Sequence, residues 1–463
     1  MSMKFKKLML ICGPVSSRSG YGAHTRDLIN SFLDYKDKYD VRILDVRWGD
    51  CPRTALDEDN EQNKLFKSCL INGVTPNQLP KQPDIYVDIR IPNEWQQIGK
   101  FNIGVTAGIE TNLVSGEWLK GCNKMDLVIV PSEHSKDGFV KTSYDEVKHL
   151  PSGEQQNIGM LKLRKPIEVL FEGSDEDIYK SLKKDEIDSE FFDWLNEKVP
   201  EKFAFLSVGQ WTKGGFGEDR KDVGTLVKTF YESFANKKKQ PALILKTNGA
   251  TFSIIDREQC LDKINLIKDR FPKDWKLPNV YLLHGEFKDE EMNYLYNHPK
   301  IKAMVSFTHG EGYGRPLQEA TMVGLPVAVS DWSGHLDFLD NANSILIPGK
   351  LDKVPSSQIW EDIITEESKW FYVNTGEAYK IFNYLFNNID SIKKDAEKLR
   401  KTNINKFTLK NMSKKLDSII TKYTDKLPSE VKIKLPKLKK VNKELPKLPN
   451  MEKDMEIMDV KNN

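Results

Sequence analysis

The sequence has few cysteines and no long apolar run. Its five cysteines are scattered over 463 residues, and no two of them have the spacing of metal ligands. This pattern indicates neither a disulfide framework nor a zinc site, and it is typical of a protein in a reducing cytoplasm. No apolar run approaches the roughly 18 residues that a membrane-spanning helix needs. Residues 8–12 are too short an apolar run for a signal peptide, and they predict a buried strand.

The sequence also lacks an excess of charge of either sign. Lys plus Arg (70) and Asp plus Glu (68) leave a formal net charge of +2. This balance gives the surface as a whole no attraction for nucleic acid or anionic membrane. Residues 426–449 are the exception, with eight lysines against two glutamates and four prolines. We expect an extended or disordered tail there, which is either a solvated extension or a segment that binds an acidic partner.

Short apolar strands alternate with helical segments along most of the chain. One such series ends near residue 170, and a second begins near residue 203. Continuous apolar strands between helices are typical of parallel sheets that are covered on both faces. We therefore predict two doubly wound α/β domains. The boundaries that we predict are residues 1–174 and 175–375 for the two domains, 376–425 for C-terminal helices that pack back on the first domain, and 426–463 for the tail.

The stretch HGEGYGRPLQEATMVGLP, residues 309–326, follows an apolar strand. Ligands of open α/β sheets bind at such strand ends. Pro316 suits the start of a helix and Gly324 its end, so we predict a short helix between them. The free N–H groups at its start favour an anion such as a diphosphate. Glu311 and Glu319 could each accept hydrogen bonds from ligand hydroxyls, or they could be surface acids at an ordinary strand–turn–helix corner.

This stretch resembles the carboxyl-terminal signature of the family-4 glycosyltransferases, which are retaining enzymes of the glycosyltransferase B fold. The residues that carry the resemblance are Glu311, Glu319, Ala320, Gly324, Pro326, Ser330 and Asp331. It implies two Rossmann-like domains that face a central cleft. It also implies transfer of a hexose or pentose from a nucleoside-diphosphate sugar, a UDP- or GDP-sugar, to a hydroxyl acceptor. The family needs no further cofactor and no metal.

The resemblance also assigns roles to residues on the donor side. Glu311 would contact hydroxyls of the donor sugar, and Glu319 would hold the ribose of the nucleotide. The backbone from Gly312 through Tyr313 and Gly314 to Arg315 would meet the sugar and the diphosphate. The loop GPVSSRSGYG resembles the family's first strand–helix loop, so Gly20 and Gly22 are further donor-binding candidates; their spacing does not fit the dinucleotide fingerprint.

The basic residues expected beside the diphosphate differ from those of the family. Relatives usually place an arginine after the first strand of the second domain and a lysine several residues later. Gln210 stands in the arginine position of this sequence. Lys221 best fits the lysine, and Arg220 could supply the missing guanidinium. Our candidate catalytic residues are therefore Glu311, Lys221 and Arg220, with Gln210 and Lys246 as donor-binding residues.

The acceptor side departs from the pattern as well. Many relatives carry a histidine after a first-domain strand, where this sequence has Glu110 and Thr111, and we expect these two residues to contact the acceptor. We interpret Ser132 and His134 as structural. The acidic triplet at residues 57–59 resembles a metal site, but it lies in a polar segment and is predicted to be solvated.

Other functions stay open at this point. The acceptor could be a glycan, a small molecule, or a modified base of phage DNA, which would suit the Lys-, Asn- and Ile-rich composition and the basic tail. Balanced overall charge argues against DNA. Gln210 also leaves room for a sugar-nucleotide-binding module without activity. A phosphorylase of the same fold would need a pyridoxal-lysine motif, and we find no convincing one.

Overall fold

The computed structural model describes residues 6–71, 79, 81–149 and 155–425. The predicted basic tail lies outside these ranges. The strands of the first half are β1 (Lys7–Gly13), β2 (Tyr39–Asp45), β3 (Ile85–Ile89), β4 (Phe101–Val105), β5 (Leu127–Val130), β6 (Ser143–His149), β7 (Gln155–Lys162) and β8 (Ile167–Val169). Six of them form a parallel sheet in the order β2-β1-β3-β4-β5-β8, and β6 and β7 form an antiparallel hairpin.

The helices of the first half connect these strands. They are α1 (Gly20–Leu33), α2 (Glu61–Cys69), α3 (Gly116–Lys124) and α4 (Glu133–Lys141). Each begins at a side chain that accepts a hydrogen bond from an N–H of the first turn, because that turn has no carbonyl partner of its own. The four capping residues are Ser19, Asn60, Ser115 and Ser132.

The second half contains another parallel sheet. Its strands are β9 (Ala204–Val208), β10 (Ala242–Lys246), β11 (Val280–Leu283), β12 (Ile301–Ser306), β13 (Val327–Ser330) and β14 (Ile345–Ile347), in the order β11-β10-β9-β12-β13-β14. The strand order reverses between β9 and β12. A crevice opens at the carboxyl ends of the two strands on either side of such a reversal. A separate antiparallel hairpin follows, made of β15 (Gly349–Lys353) and β16 (Lys369–Val373).

Helices cover both faces of this second sheet. They are α5 (Ser189–Lys198), α6 (Val223–Phe234), α7 (Ile254–Lys268), α8 (Asp289–Asn297), α9 (Arg315–Met322) and α10 (Thr375–Lys406). A further helix, α11 (Leu409–Thr424), follows α10 in the chain. Alternate residues of β9 enter two different cores. Ala204 and Leu206 pack with Leu317 of α9, whereas Phe205 packs with Phe230 of α6. Burial on both faces explains why the strand is apolar throughout.

The chain passes between the two sheet domains at two neighbouring points. Ser174 follows the first sheet, and its backbone N–H donates to Phe407 O at 3.0 Å. Leu409, at the start of α11, donates its N–H to Ser174 O at 2.8 Å. A Cβ on Gly173 would lie 2.6 Å from Leu409 Cα, so glycine permits this close approach.

Helix α11 packs on α1 of the first domain. Lys7 Nζ donates to Thr424 O at 3.0 Å, and Lys38 forms an ion pair with Asp417 at 2.7 Å. The apolar faces of both helices are buried; they comprise Leu28, Ile29 and Phe32 of α1 and Met412, Leu416, Ile419 and Ile420 of α11. The first domain therefore includes a helix that follows the whole second domain in the chain.

The connection between β15 and β16, residues 354–368, also reaches the first domain. Ile363 packs against a first-domain core cluster that includes Trp118. Ser115 Oγ donates to Asp362 O at 2.5 Å. The second domain thus contacts the first through this connection as well as through the two chain crossings.

The predicted architecture of two parallel-sheet α/β domains with C-terminal helices is confirmed. The two antiparallel hairpins were not predicted. No helix in the described ranges has both the length and the apolar character needed to span a bilayer. The exact domain boundaries stay a prediction.

Candidate active site

The glycine-rich turn after β12 forms the start of α9. Gly314 caps the helix with a left-handed backbone (φ 99°), and no side chain caps its first turn. Glycine adopts this conformation without the strain that a side chain would add. The helix begins at Arg315, one residue earlier than predicted, and Pro316 lies in its first turn. Gly324 follows its end with φ 82°.

Glu311 lies in this turn and faces two cations. Lys221 Nζ bonds Glu311 Oε1, and Arg220 Nη1 lies 3.5 Å from Glu311 Oε2. Arg220 Nη1 also lies 2.8 Å from Glu110 Oε1 of the first domain. Although burial raises the pKa of Glu311, Lys221 and Arg220 lower it to about 2. Burial lowers the pKa of Lys221. The three predicted catalytic residues are therefore brought together, with Glu110 as a fourth member.

This cluster forms where the strand order of the second sheet reverses. Arg220 and Lys221 belong to the loop between β9 and α6, and Glu311 to the loop after β12. The aliphatic stem of Lys221 passes over Gly209, where a Cβ would lie 3.3 Å from Lys221 Cε. Asp222 has a left-handed backbone (φ 46°) and caps α6. The sheet therefore places two basic residues opposite one carboxylate at its carboxyl edge.

Gln210 and Lys246 belong to a neighbouring part of the same edge. The Gln210 amide donates to Gly249 O at 2.7 Å. Lys246 Nζ donates to Gly285 O at 2.6 Å and lies 4.5 Å from the centre of the Phe287 ring. Burial lowers the pKa of Lys246 to about 8. Both side chains are thus bonded to the loops after β10 and β11.

Glu319 belongs to a second charged group at the start of α9. Arg315 Nε lies 3.3 Å from Glu319 Oε1, and Arg315 also pairs with Asp27 of the first-domain helix α1. Tyr296 donates its hydroxyl to Glu319 Oε2 at 3.0 Å. Burial raises the pKa of Glu319 to about 7, and it raises that of the buried Glu172 to about 7 too.

Asp27 and Glu172 are members of this second group that sequence reasoning missed. Both interact with Arg315, and they come from the first domain and from its crossing segment. Only the approach of the two domains brings them to Arg315.

The loops after β4 and β5 lie directly against the glycine-rich turn. Ser132 Oγ donates to Gly312 O at 2.6 Å. A Cβ on Gly312 would lie 2.0 Å from Ala107 O, and a Cβ on Gly310 would lie 2.2 Å from Glu110 O. Real Cβ atoms do not approach backbone oxygens this closely, so the contact between the domains depends on glycine at both positions.

Several other predicted residues serve the local fold. The Tyr313 side chain is buried, and its hydroxyl accepts from Gln318 Nε2 at 2.5 Å. Thr111 is buried and donates to Leu113 O at 2.8 Å. A Cβ on Gly22 would lie 2.1 Å from Ser17 O, whereas nothing lies within 4 Å of one on Gly20.

The acidic triplet at residues 57–59 is exposed, and two of its members pair with surface lysines. Asp59 lies 3.3 Å from Lys64 Nζ, and Glu58 lies 3.7 Å from Lys288 Nζ. Across the described ranges, no group of three or more histidine, cysteine or acidic side chains could hold a metal ion.

No protein-family model matches the sequence, and no curated protein matches it. Solved structures do resemble the fold. A glycosyltransferase from Rickettsia africae has a TM-score of 0.58 at 14% identity, covering 91% of this chain and 99% of its own. Sucrose-phosphate synthase from Thermosynechococcus elongatus has a TM-score of 0.57 at 12% identity, covering 91% and 100%. HepE from Anabaena, solved with UDP and glucose, has a TM-score of 0.54 at 12% identity, covering 90% and 100%.

These similarities extend over both sheet domains, since they cover about nine-tenths of the chain. The protein therefore has the glycosyltransferase B fold, in which two Rossmann-like domains face a central cleft. At 12–14% identity, the resemblance establishes the fold and leaves the function to be argued from the site.

Proposed function

We propose that the protein is a retaining glycosyltransferase that moves a sugar from a UDP-sugar to a hydroxyl acceptor. The observation that carries the proposal is the pairing of Glu311 with Lys221 and Arg220 beside the start of α9, which has no side-chain cap. Two cations and a helix N-terminus form a site for a diphosphate. An adjacent carboxylate that stays ionised can bind the hydroxyl groups of a sugar.

Donor binding gives Lys221 and Arg220 a new partner, the diphosphate, in place of Glu311. Without ligand, Lys221 and Arg220 neutralise the buried Glu311. An arriving diphosphate offers both cations stronger anionic partners, and the Glu311 oxygens are then free to accept from sugar hydroxyls. A carboxylate that is already ionised and hydrogen-bonded can orient the sugar without a proton transfer of its own.

The departing diphosphate completes the reaction in this proposal. As the bond from the anomeric carbon to the diphosphate breaks, negative charge develops on the phosphate oxygen that was joined to the sugar, and Lys221, Arg220 and the α9 N-terminus stabilise that charge. The same phosphate oxygen accepts the proton of the attacking hydroxyl on the same face of the sugar. Retention of the anomeric configuration then needs no covalent nucleophile, and positioning supplies much of the rate.

Glu110 is the residue that the proposal assigns to the acceptor. Its carboxylate approaches Arg220 from the first domain, so one guanidinium contacts both the acceptor-side and the donor-side carboxylate. We propose that Glu110 binds a hydroxyl of the acceptor. Thr111, which donates to Leu113 O, would help to hold this loop in place.

A thermal-shift panel of nucleoside-diphosphate sugars tests the proposal. A ligand that binds only the folded state stabilises it by about 2.7 kcal/mol at 100 times its Kd. We expect UDP-sugars to raise the melting temperature more than GDP-, ADP- or dTDP-sugars do. Absence of any shift across the panel would contradict the assignment.

A measurement of donor turnover distinguishes an enzyme from a binding module that has no activity. We expect the best donor of the panel to be hydrolysed slowly, with release of UDP, when no acceptor is present. Binding without any release of UDP, with or without candidate acceptors, would favour the binding module.

A further inference from the structure

His309 lies two residues before Glu311 in the turn after β12. Its side chain is fully buried, with 0% exposure. The imidazole stacks on Trp370 at 5.0 Å between ring centres and contacts the Tyr372 ring at 4.4 Å. Both aromatic residues belong to β16. The ring is therefore enclosed between the turn after β12 and the β15–β16 hairpin.

Hydrogen bonds join His309 to β16 on one side. The ring Nδ1 lies 2.8 Å from Phe371 O, and the Phe371 N–H donates to His309 O at 3.0 Å. Ring Nε2 lies 3.4 Å from Gly217 O. A neutral imidazole has one N–H, and the shorter contact places it on Nδ1. Burial lowers the pKa of His309, which favours this neutral form.

The backbone of the same residue bonds the loop that holds the two cations. The His309 N–H donates to Arg220 O at 2.8 Å. Arg220 and Lys221 follow Asp219, whose carboxylate is buried, and precede Asp222 with its left-handed backbone. A short series of bonds thus runs from β16 through His309 to the main chain between the two cationic residues.

We propose that His309 is a positioning residue for the diphosphate, and that its Nδ1 bond to Phe371 O fixes the place of Arg220 and Lys221. The inference rests on the function proposed above, because it concerns the groups that bind the phosphates. If the ring bond is lost, the turn after β12 can shift away from β16. Arg220 would move with it through the backbone bond, and the two cations would meet the phosphates less well.

The test compares the affinities of uridine and UDP, measured by calorimetry at one pH and one salt concentration. The ratio of the two dissociation constants isolates the phosphate contribution from general effects on the fold. His309→Phe keeps an aromatic ring for Trp370 and Tyr372 but removes the Nδ1 donor. His309→Asn loses the ring but keeps a donor near the Nδ1 position.

The preference for UDP is the dissociation constant of uridine divided by that of UDP. We expect His309→Phe to reduce this preference by about tenfold, and His309→Asn to keep it within about threefold of the wild type. Tyr144→Phe is the matched control, since it also removes a side-chain bond to a backbone carbonyl, that of Val114 at 2.6 Å in the first domain. It should leave the preference unchanged.

A His309→Phe protein that retains the wild-type preference would overturn the inference. If that variant does not fold, loss of the preference in His309→Asn would overturn it, and retention would support it. A wild-type protein that binds UDP no better than uridine would instead overturn the proposed function, so the two failures are distinguishable.

Discussion

Glu311 and Glu319 are eight positions apart in the chain and titrate in different pH ranges. Burial raises the pKa of both carboxyl groups, but Lys221 and Arg220 bring that of Glu311 down to about 2. Glu319 shares its one guanidinium, Arg315, with Asp27, and its pKa is about 7. Near neutral pH, Glu311 is fully charged while Glu319 is partly protonated.

Glu311→Gln and Lys221→Ala are each expected to lower the rate of sugar transfer by about 10²-fold or more, because each removes a charge that positions or stabilises the reacting groups. The rate with the donor found in the thermal-shift panel is the measurement. Glu117→Gln is the control, since it removes an exposed carboxylate that pairs with Lys120. Near-normal rates in folded Glu311 and Lys221 variants would contradict the assigned roles.

The affinity for uridine is expected to rise between pH 6 and pH 8. Below pH 7 Glu319 is protonated and has less capacity to accept from two ribose hydroxyls; above pH 7 it is a full acceptor. Uridine carries no phosphate, so the phosphates cannot cause the change. Calorimetry at several pH values measures the affinity.

Two variants test whether Glu319 causes this rise in affinity. Glu319→Gln should remove the rise, whereas Glu172→Gln should keep it. A wild-type affinity that does not change with pH argues against a ribose role for Glu319.

Local sequence was sufficient to predict the residues that lie close together in the chain. The short helix after Gly314 follows from glycine and proline spacing. Glu311, Glu319 and Lys221 follow from the family resemblance, and Arg220 was a candidate because Gln210 stands where relatives have an arginine. Asp27 and Glu172 could not be predicted, because they meet Arg315 only through the approach of two domains. The bond from His309 to Phe371 joins residues that are 62 positions apart, so a local sequence pattern could not predict it either.

At the scale of elements, the strands with strong apolar runs were predicted and the hairpins were not. β15 is exposed along its whole length, so the sequence GKLDK carries no signal of burial. β6 and β7 have a register shift between Glu146 and Val147, which breaks the alternation expected of a half-buried strand. Helix α9 begins one residue early because Gly314, rather than a polar side chain, caps it.

Gly312→Ala is expected to push the loop after β4 away from the turn after β12. The new Cβ would lie 2.0 Å from Ala107 O, so one backbone must move. Uridine binding should persist, since Glu311 and Glu319 both stay in the second domain. Transfer should fall by about tenfold or more, because the substitution displaces the loop that we propose to bind the acceptor. Calorimetry and transfer rates measure the two effects.

Gly116→Ala is the control for this substitution. A Cβ there would meet Leu161 Cδ2 at 3.5 Å, an ordinary contact within the first domain. Full transfer activity in Gly312→Ala would show that the close approach of the two loops is not needed.

At the scale of the whole molecule, α11 completes the first domain. A chain that ends at residue 408 lacks α11 and leaves Leu28, Ile29 and Phe32 of α1 without their partners. We expect this chain to melt at a lower temperature or to aggregate, because burying each such side chain contributes about 1.5–3 kcal/mol. A chain that ends at residue 425 keeps α11 and is the control. Equal melting temperatures for the two chains would contradict a stabilising role for α11.

The position of α11 also sets the order in which the protein can fold during synthesis. Some 375 residues separate the end of α1 from the start of α11. At about 5–20 residues per second, the ribosome needs roughly 20–75 s to make that stretch. Once β8 has been made, the nascent first domain has all six strands of its sheet, but it lacks the helix that covers α1 until α11 follows. The second domain, although it is translated later, can close its own core before the first domain does.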